Sequence, residues 1–135
     1  MLRVCVDTNI WLSGIVFSGK PGKILAAAFD KEFQLILSQP ILNEIERNLL
    51  TKFDYSQNDI RLTLHRILQV ADLYEPTGSV HVIPNNDADN MILETAYLGR
   101  AKYLVTGDKK DLLPLKMFKY VRIINAAEFL NIIRR

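Results

Sequence analysis

Cysteine is almost missing from this chain: Cys5 is the single thiol among 135 residues. One thiol closes no internal disulfide, which sets the protein apart from small secreted scaffolds and predicts a reducing, cytoplasmic setting. In an apolar segment Cys5 reads as a small core residue. A large excess of charge of one sign is missing as well, and a formal net charge of +2 permits contact with nucleic acid without arguing for it. No apolar run approaches the roughly 20 residues that would span a bilayer, so no membrane partner is expected. Leu2–Val6 enters a strand directly, without the charged-then-apolar layout of a secretory leader. The chain has only two histidines, His65 and His81, and their placement on a helix and a strand lacks the spacing of metal ligands. Linkers, low-complexity stretches and internal repeats are also lacking, so residues 1–135 are expected to form a single domain.

What is present suits a packed core. Hydrophobic residues make up 49% and charged residues 24% of the chain, ordinary for about one globular domain. Leu2–Val6 is rich in β-branched residues and is predicted as a buried strand. Further strands are predicted at Phe33–Leu37, Val80–Ile83, Tyr103–Thr106 and Val121–Ile124. Helical spacing predicts helices over Ile10–Val16, Lys23–Asp30, Gln57–Leu73, Ala88–Leu98 and Ala126–Ile133. Another helix opens at Pro40 and sets Ile41, Leu42, Ile45 and Leu49 on one face. Gly99 reads as a helix terminator, Asn125 as an N-cap, and Ser18-Gly19-Lys20-Pro21-Gly22 as a turn-forming break. Strands that are nearly all apolar and alternate with helices predict an α/β fold with a parallel five-stranded sheet covered on both faces.

Four acidic residues stand where a strand hands over to a loop or helix, or one turn beyond: Asp7, Glu44, Asp89 and Asp108. In a parallel sheet those handovers share one edge, where ligands of open α/β folds gather. Carboxylates crowded together repel unless a proton or a cation intervenes, and hard oxygen ligands suit Mg²⁺ or Mn²⁺. The expected chemistry is therefore metal-assisted phosphodiester cleavage. Each residue taken singly also has a plainer reading. Asp7 fits an N-cap, and Asp108, after the flexible Gly107, fits a surface turn. Asp89 shares a helix face with Ile92, Leu93 and Ala96 and should look inward, whereas Asp87 fits an N-cap and Glu94 a solvated face. Glu44 lies slightly off its helix's apolar stripe, and a helical wheel does not choose between it and Glu46. Asp111 is a secondary candidate.

Val-Asp-Thr-Asn-Ile at residues 6–10, Ile-Leu-Asn-Glu-Ile at 41–45, Asp-Asn-Met-Ile-Leu-Glu-Thr-Ala at 89–96 and Val-Thr-Gly-Asp at 105–108 together resemble the PIN-domain nucleases. The resemblance is to the branch of toxin components of toxin–antitoxin systems, the VapC-like ribonucleases, and it extends over essentially the whole chain. It implies a PIN-like three-layer sandwich and an acidic cluster of Asp7, Glu44, Asp89 and Asp108, and it selects Glu44 over Glu46. It further implies that Asn9 and Ser13 line or buttress the pocket and that Thr106 is the hydroxyl preceding the last aspartate. Lys109-Lys110 makes the gap before Asp111 one residue longer than the family's, which leaves the role of Asp111 undecided. The activity implied is an Mg²⁺- or Mn²⁺-dependent (endo)ribonuclease acting on RNA, inhibited by a cognate antitoxin protein and assembled as a homodimer or higher oligomer. The competing readings are a non-catalytic RNA-binding or partner-binding module on this fold, and a nuclease acting on structured DNA.

Other signals are weaker. Gly14–Lys20 fits the opening of a phosphate-binding loop, but Pro21 stands where a metal-binding hydroxyl is needed. Asn9 occupies the position where a phosphatase would carry its general acid, which argues against an aspartyl-phosphate route. Lys109 and Lys110, with Lys116 and Lys119, form either a solvated loop or contacts to an RNA backbone. Trp11 is the one aromatic placed for base stacking.

Overall fold

The computed structural model describes residues 1–135. Arg3–Val6 forms the first strand, β1, and Val4, Cys5 and Val6 are fully buried because strands pair on both of its edges. β2 (Gln34–Ser38) and β4 (Tyr103–Val105) flank β1 in parallel register, with Val4 opposite both Leu35 and Tyr103. β3 (Ala71–Tyr74) extends the sheet beyond β2 in parallel. On the other side β6 (Val121–Ile124) runs parallel to β4, and the two-residue β5 (Met117–Phe118) closes the edge antiparallel to β6. The strand order is thus β3-β2-β1-β4-β6-β5.

Six helices flank the sheet: α1 (Thr8–Val16), α2 (Gly19–Phe29), α3 (Gln39–Thr51), α4 (Gln57–Leu68), α5 (Asp87–Leu98) and α6 (Ala126–Ile133). The apolar positions singled out on α3, namely Ile41, Leu42, Ile45 and Leu49, are all buried, as amphipathic spacing requires. Asn125 caps α6 through a full capping box with Glu128. The buried apolar side chains, 34 in number, join in one cluster that includes Cys5. Trp11 belongs to that cluster, fully buried edge-on against Phe29, and so is not available to stack on a base. No helix is long and apolar enough to cross a membrane.

Three expectations are corrected. The third strand is Ala71–Tyr74, not Val80–Ile83, and the helix before it stops at Leu68. Ala71 and Leu73 prolong the apolar spacing of α4, and a short apolar run does not by itself separate helix from strand. Val80–Ile83 needs no sheet, since the buried Asn90 side chain accepts from the Ile83 N–H and donates to the Ile83 carbonyl, both at 2.8 Å. The sheet has six strands where five were expected, because β5 is only two residues long and sits between Lys116 and Lys119, both at positive φ. Finally, the break at residues 18–22 shrinks to Ser18, and Pro21 lies in the first turn of α2, where its missing N–H is harmless.

The order of the strands decides where a site can form. From β1 the chain steps outward through β2 to β3, then returns along α5 to place β4 on the opposite side of β1. The reversal falls between the carboxyl ends of β1 and β4, the position at which open α/β sheets leave a crevice.

Candidate metal centre

Asp7 follows β1 directly and is nearly fully buried. Its backbone N–H donates to the Val105 carbonyl at 2.9 Å, which pins it against the end of β4. One carboxylate oxygen accepts from the Thr8 N–H at 2.7 Å, so Asp7 does cap α1, and the other accepts from the Thr106 hydroxyl at 2.7 Å. The Thr106 oxygen in turn accepts from the Asp108 N–H at 3.1 Å, tying the two aspartates through one buried hydroxyl. Burial raises the Asp7 carboxyl to about 6, with the charges of Glu44 and Asp108 adding to the effect and the two hydrogen bonds opposing it.

Asp89 stands in the first turn of α5, and Asp108 and Asp111 in the loop after β4. One carboxylate oxygen from each of these three lies within 4.8 Å of the others. Asp89 is pushed up to about 7 by burial, then by its hydrogen bond toward Asp108 and by the charges of Asp108, Asp7 and Asp111. Asp108 goes the other way: burial opposes ionisation, but N–H groups of Lys110, Asp111 and Leu112 and the Asp89 carboxyl outweigh it and hold Asp108 below the usual range. Of the two carboxyls, Asp89 is therefore the weaker acid. The N-cap of α5 is Asn86 rather than Asp87, which is exposed. Asn86 accepts from the Asp89 N–H at 3.0 Å and donates to the carboxylates of Asp89 at 2.8 Å and Asp111 at 3.3 Å.

Asp7, Glu44, Asp89 and Asp108 all line one cavity of about 370 Å³, together with Thr8, Asn9, Leu12, Asn48, Lys52, Ala88 and Ile92. Glu44 reaches it from α3, whereas Glu46 is exposed and lines a different groove toward α4. Ser13 is half-buried and outside the wall of this cavity, and Lys109 and Lys110 are exposed beside it, with Lys110 donating its backbone N–H to Asp108 at 3.0 Å. Residue-level reading missed Thr8, Asn48, Lys52 and Asn86. Asn48 and Lys52 follow Glu44 at intervals of four, one face of α3, and that spacing was a usable signal. Asn86 carried none, because its part depends on a loop. Glu94, expected on a solvated face, is buried and accepts from the N–H groups of Thr77, Gly78 and Ser79, which lowers its pKa against the opposing effect of burial.

Lys52 is the one basic residue on the cavity wall, and the ion pairs of the protein, Arg3 with Asp72 and Arg135 with Asp30 and Glu32, engage none of these acids. Negative charge is thus left under-compensated at a cluster of oxygen donors. That donor set fits a hard divalent cation: all-oxygen, anionic, and close enough for three carboxylates to share one ion. The Thr8 hydroxyl, buried on the same wall, has no hydrogen-bond partner.

Residues 3–110 match the family model described as PIN domain. Among solved structures the chain is similar to a chain in the crystal structure of VapBC2 from Rickettsia felis bound to a DNA fragment from their promoter, at a TM-score of 0.63 and 17% identity, covering 92% of this chain and 98% of that one. At that identity the likeness is one of fold. No curated protein matches the sequence.

Proposed function

This chain belongs to the PIN-domain family, and we propose that residues 1–135 act as one PIN-like domain, a divalent-metal-dependent ribonuclease serving as the toxin of a toxin–antitoxin pair. The observation that carries the reading is the convergence of Asp7, Glu44, Asp89 and Asp108 on one cavity at the switch point of the sheet. Asp7, Asp89 and Asp108 would hold Mg²⁺ or Mn²⁺ directly or through water, with Glu44 completing the set and Asp111 near enough to join. The bound ion would lower the pKa of a water, turn it toward phosphorus and screen the charge that develops there.

The protein's own groups prepare that step. Thr106 fixes the rotamer of Asp7 and, through the Asp108 backbone, the start of the loop that carries Asp108. The N–H groups of Lys110 and Asp111 hold the Asp108 carboxylate ionised and oriented. Asn9, on the cavity wall, faces the substrate, and Ser13 supports α1 behind it. Lys52 at the wall, with Lys109 and Lys110 outside it, suits the backbone of a single strand. No serine, cysteine or histidine nucleophile is required. RNA is the expected substrate, a small antitoxin protein the expected inhibitor, a homodimer or larger assembly the expected state, and the cytoplasm the expected compartment. The fold likeness to a chain of a VapBC2 complex supports the toxin–antitoxin assignment.

The deciding experiment incubates the pure protein with short RNAs and DNAs under Mg²⁺, Mn²⁺ or chelator, with Asp7→Asn alongside. RNA cleavage that requires the metal and vanishes in Asp7→Asn is the expected result. Cleavage that survives chelator, or equal activity in the variant, overturns the metal-site reading; preferential cutting of branched DNA overturns the substrate.

A further inference from the structure

Three polar residues on α5 stand four apart, Asn86 at the cap, then Asn90 and Glu94, and so lie along one line of the helix. Glu94 and Asn90 hold the crossover segment that leads from β3 back to α5, and Asn86 stands where it ends. Glu94 accepts from Thr77, Gly78 and Ser79 at its start. Asn90 clamps both backbone groups of Ile83 in its middle. Asn86, at its end, reaches forward to the acidic centre. Both atoms of the Asn86 amide are in use. Its oxygen takes the Asp89 N–H, which fixes the NH₂ group toward the carboxylates of Asp89 and Asp111. No other side chain of the protein donates to either carboxylate across those contacts, and an aspartate at this position would supply the cap but add a further repelling charge.

We propose that Asn86 is a positioning residue for the acidic centre: its NH₂ group spans Asp89 and Asp111 and sets their oxygens in place for a divalent cation. The proposal rests on the metal-site reading above. Residues that hold metal ligands from behind commonly contribute between tenfold and a hundredfold to metal affinity. The N-cap of α5 is a separate contribution of the same residue, and the test must divide the two.

Asn86→Ser does so. A serine oxygen still caps the helix, but it is too short and has too few donors to span two carboxylates. The full chain, freed of metal with chelator and then dialysed, is titrated with Mn²⁺ by calorimetry, and its thermal midpoint is read in chelator. Asn86→Ser should unfold within a few degrees of the parent yet bind Mn²⁺ about tenfold more weakly or worse. Asn86→Thr, which caps with the same kind of hydroxyl, repeats the measurement, so that one variant decides if the other does not fold. Parental Mn²⁺ affinity in a folded Ser or Thr variant overturns the proposal and leaves Asn86 as a cap alone. If the parent itself takes up no Mn²⁺, the metal-site reading falls first and this inference with it.

Discussion

Asp7 and Glu94 are both buried acids, and the donors around each explain why the pKa of one rises and that of the other falls. Glu94 accepts from three backbone N–H groups and the Thr77 hydroxyl, and its pKa is lowered. Asp7 accepts from one N–H and one hydroxyl while facing other acids, and its carboxyl rises to about 6. That displacement is worth on the order of 3 kcal/mol against the ionised form. In chelator near pH 7.5, Asp7→Asn should therefore raise the thermal midpoint by several degrees; a midpoint lowered by the substitution would contradict the strain inferred at this carboxylate. Glu94→Gln should do the reverse and lower stability by about 2 kcal/mol at neutral pH, since hydrogen bonds to a charged group are at stake. Because the folded pKa of Glu94 is lowered, its contribution is present above the ordinary glutamate value and disappears as pH falls through the folded one. Denaturant midpoints of parent and variant should accordingly converge in acid, and a gap that persists there would point to packing instead.

At the scale of elements, α5 organises more than its apolar spacing announces. Its buried residues Ile92, Leu93 and Ala96 were legible from periodicity, as was the inward-facing Asp89. The opposite misreading, Glu94 as solvated, arose because a helical wheel treats every face away from the sheet as wet. The crossover that covers this face is a loop, and its path leaves no periodic trace in the sequence. The end of α5 shows a related limit. Gly99 does terminate the helix, but with φ of −78° it does so without the left-handed conformation that usually calls for glycine. What it supplies is room: a Cβ there would lie 2.1 Å from Ile36 Cγ2, a β2 side chain that is fully buried. Gly99→Ala should destabilise the protein by about 1–3 kcal/mol through overpacking, measured as a shift in denaturant midpoint. An unchanged midpoint would mean that α5 and β2 part more easily than their packing implies.

For the whole molecule, the alternation of strands and helices and the parallel sheet were readable because each buried strand is apolar throughout. Strands β3 and β5 were not, the first being continuous with a helical stripe and the second only two residues long. The acidic centre was readable at the ends of β1 and β4 and depended on likeness to a family for Glu44. Its electrostatics make a prediction for the metal-free protein as a whole. Asp7 at about 6 and Asp89 at about 7 lie above ordinary carboxylates, so between roughly pH 4 and pH 7 the folded state binds more protons than the unfolded one, and stability falls as pH rises. Thermal midpoints in chelator should decline across that window and level off above it, and Mn²⁺ should restore them most at the alkaline end. A midpoint in chelator that climbs from pH 5 to pH 8 would contradict the arrangement. The strand order carries a last consequence, one of timing. β1 is the first strand made, yet β4, some hundred positions later, supplies its second neighbour and with it Thr106 and Asp108. During synthesis, a chain extended only through β3 therefore carries Asp7 without the strand that pins it or the hydroxyl that orients it, so the acidic cavity assembles only after β4 and the loop behind it have joined the sheet.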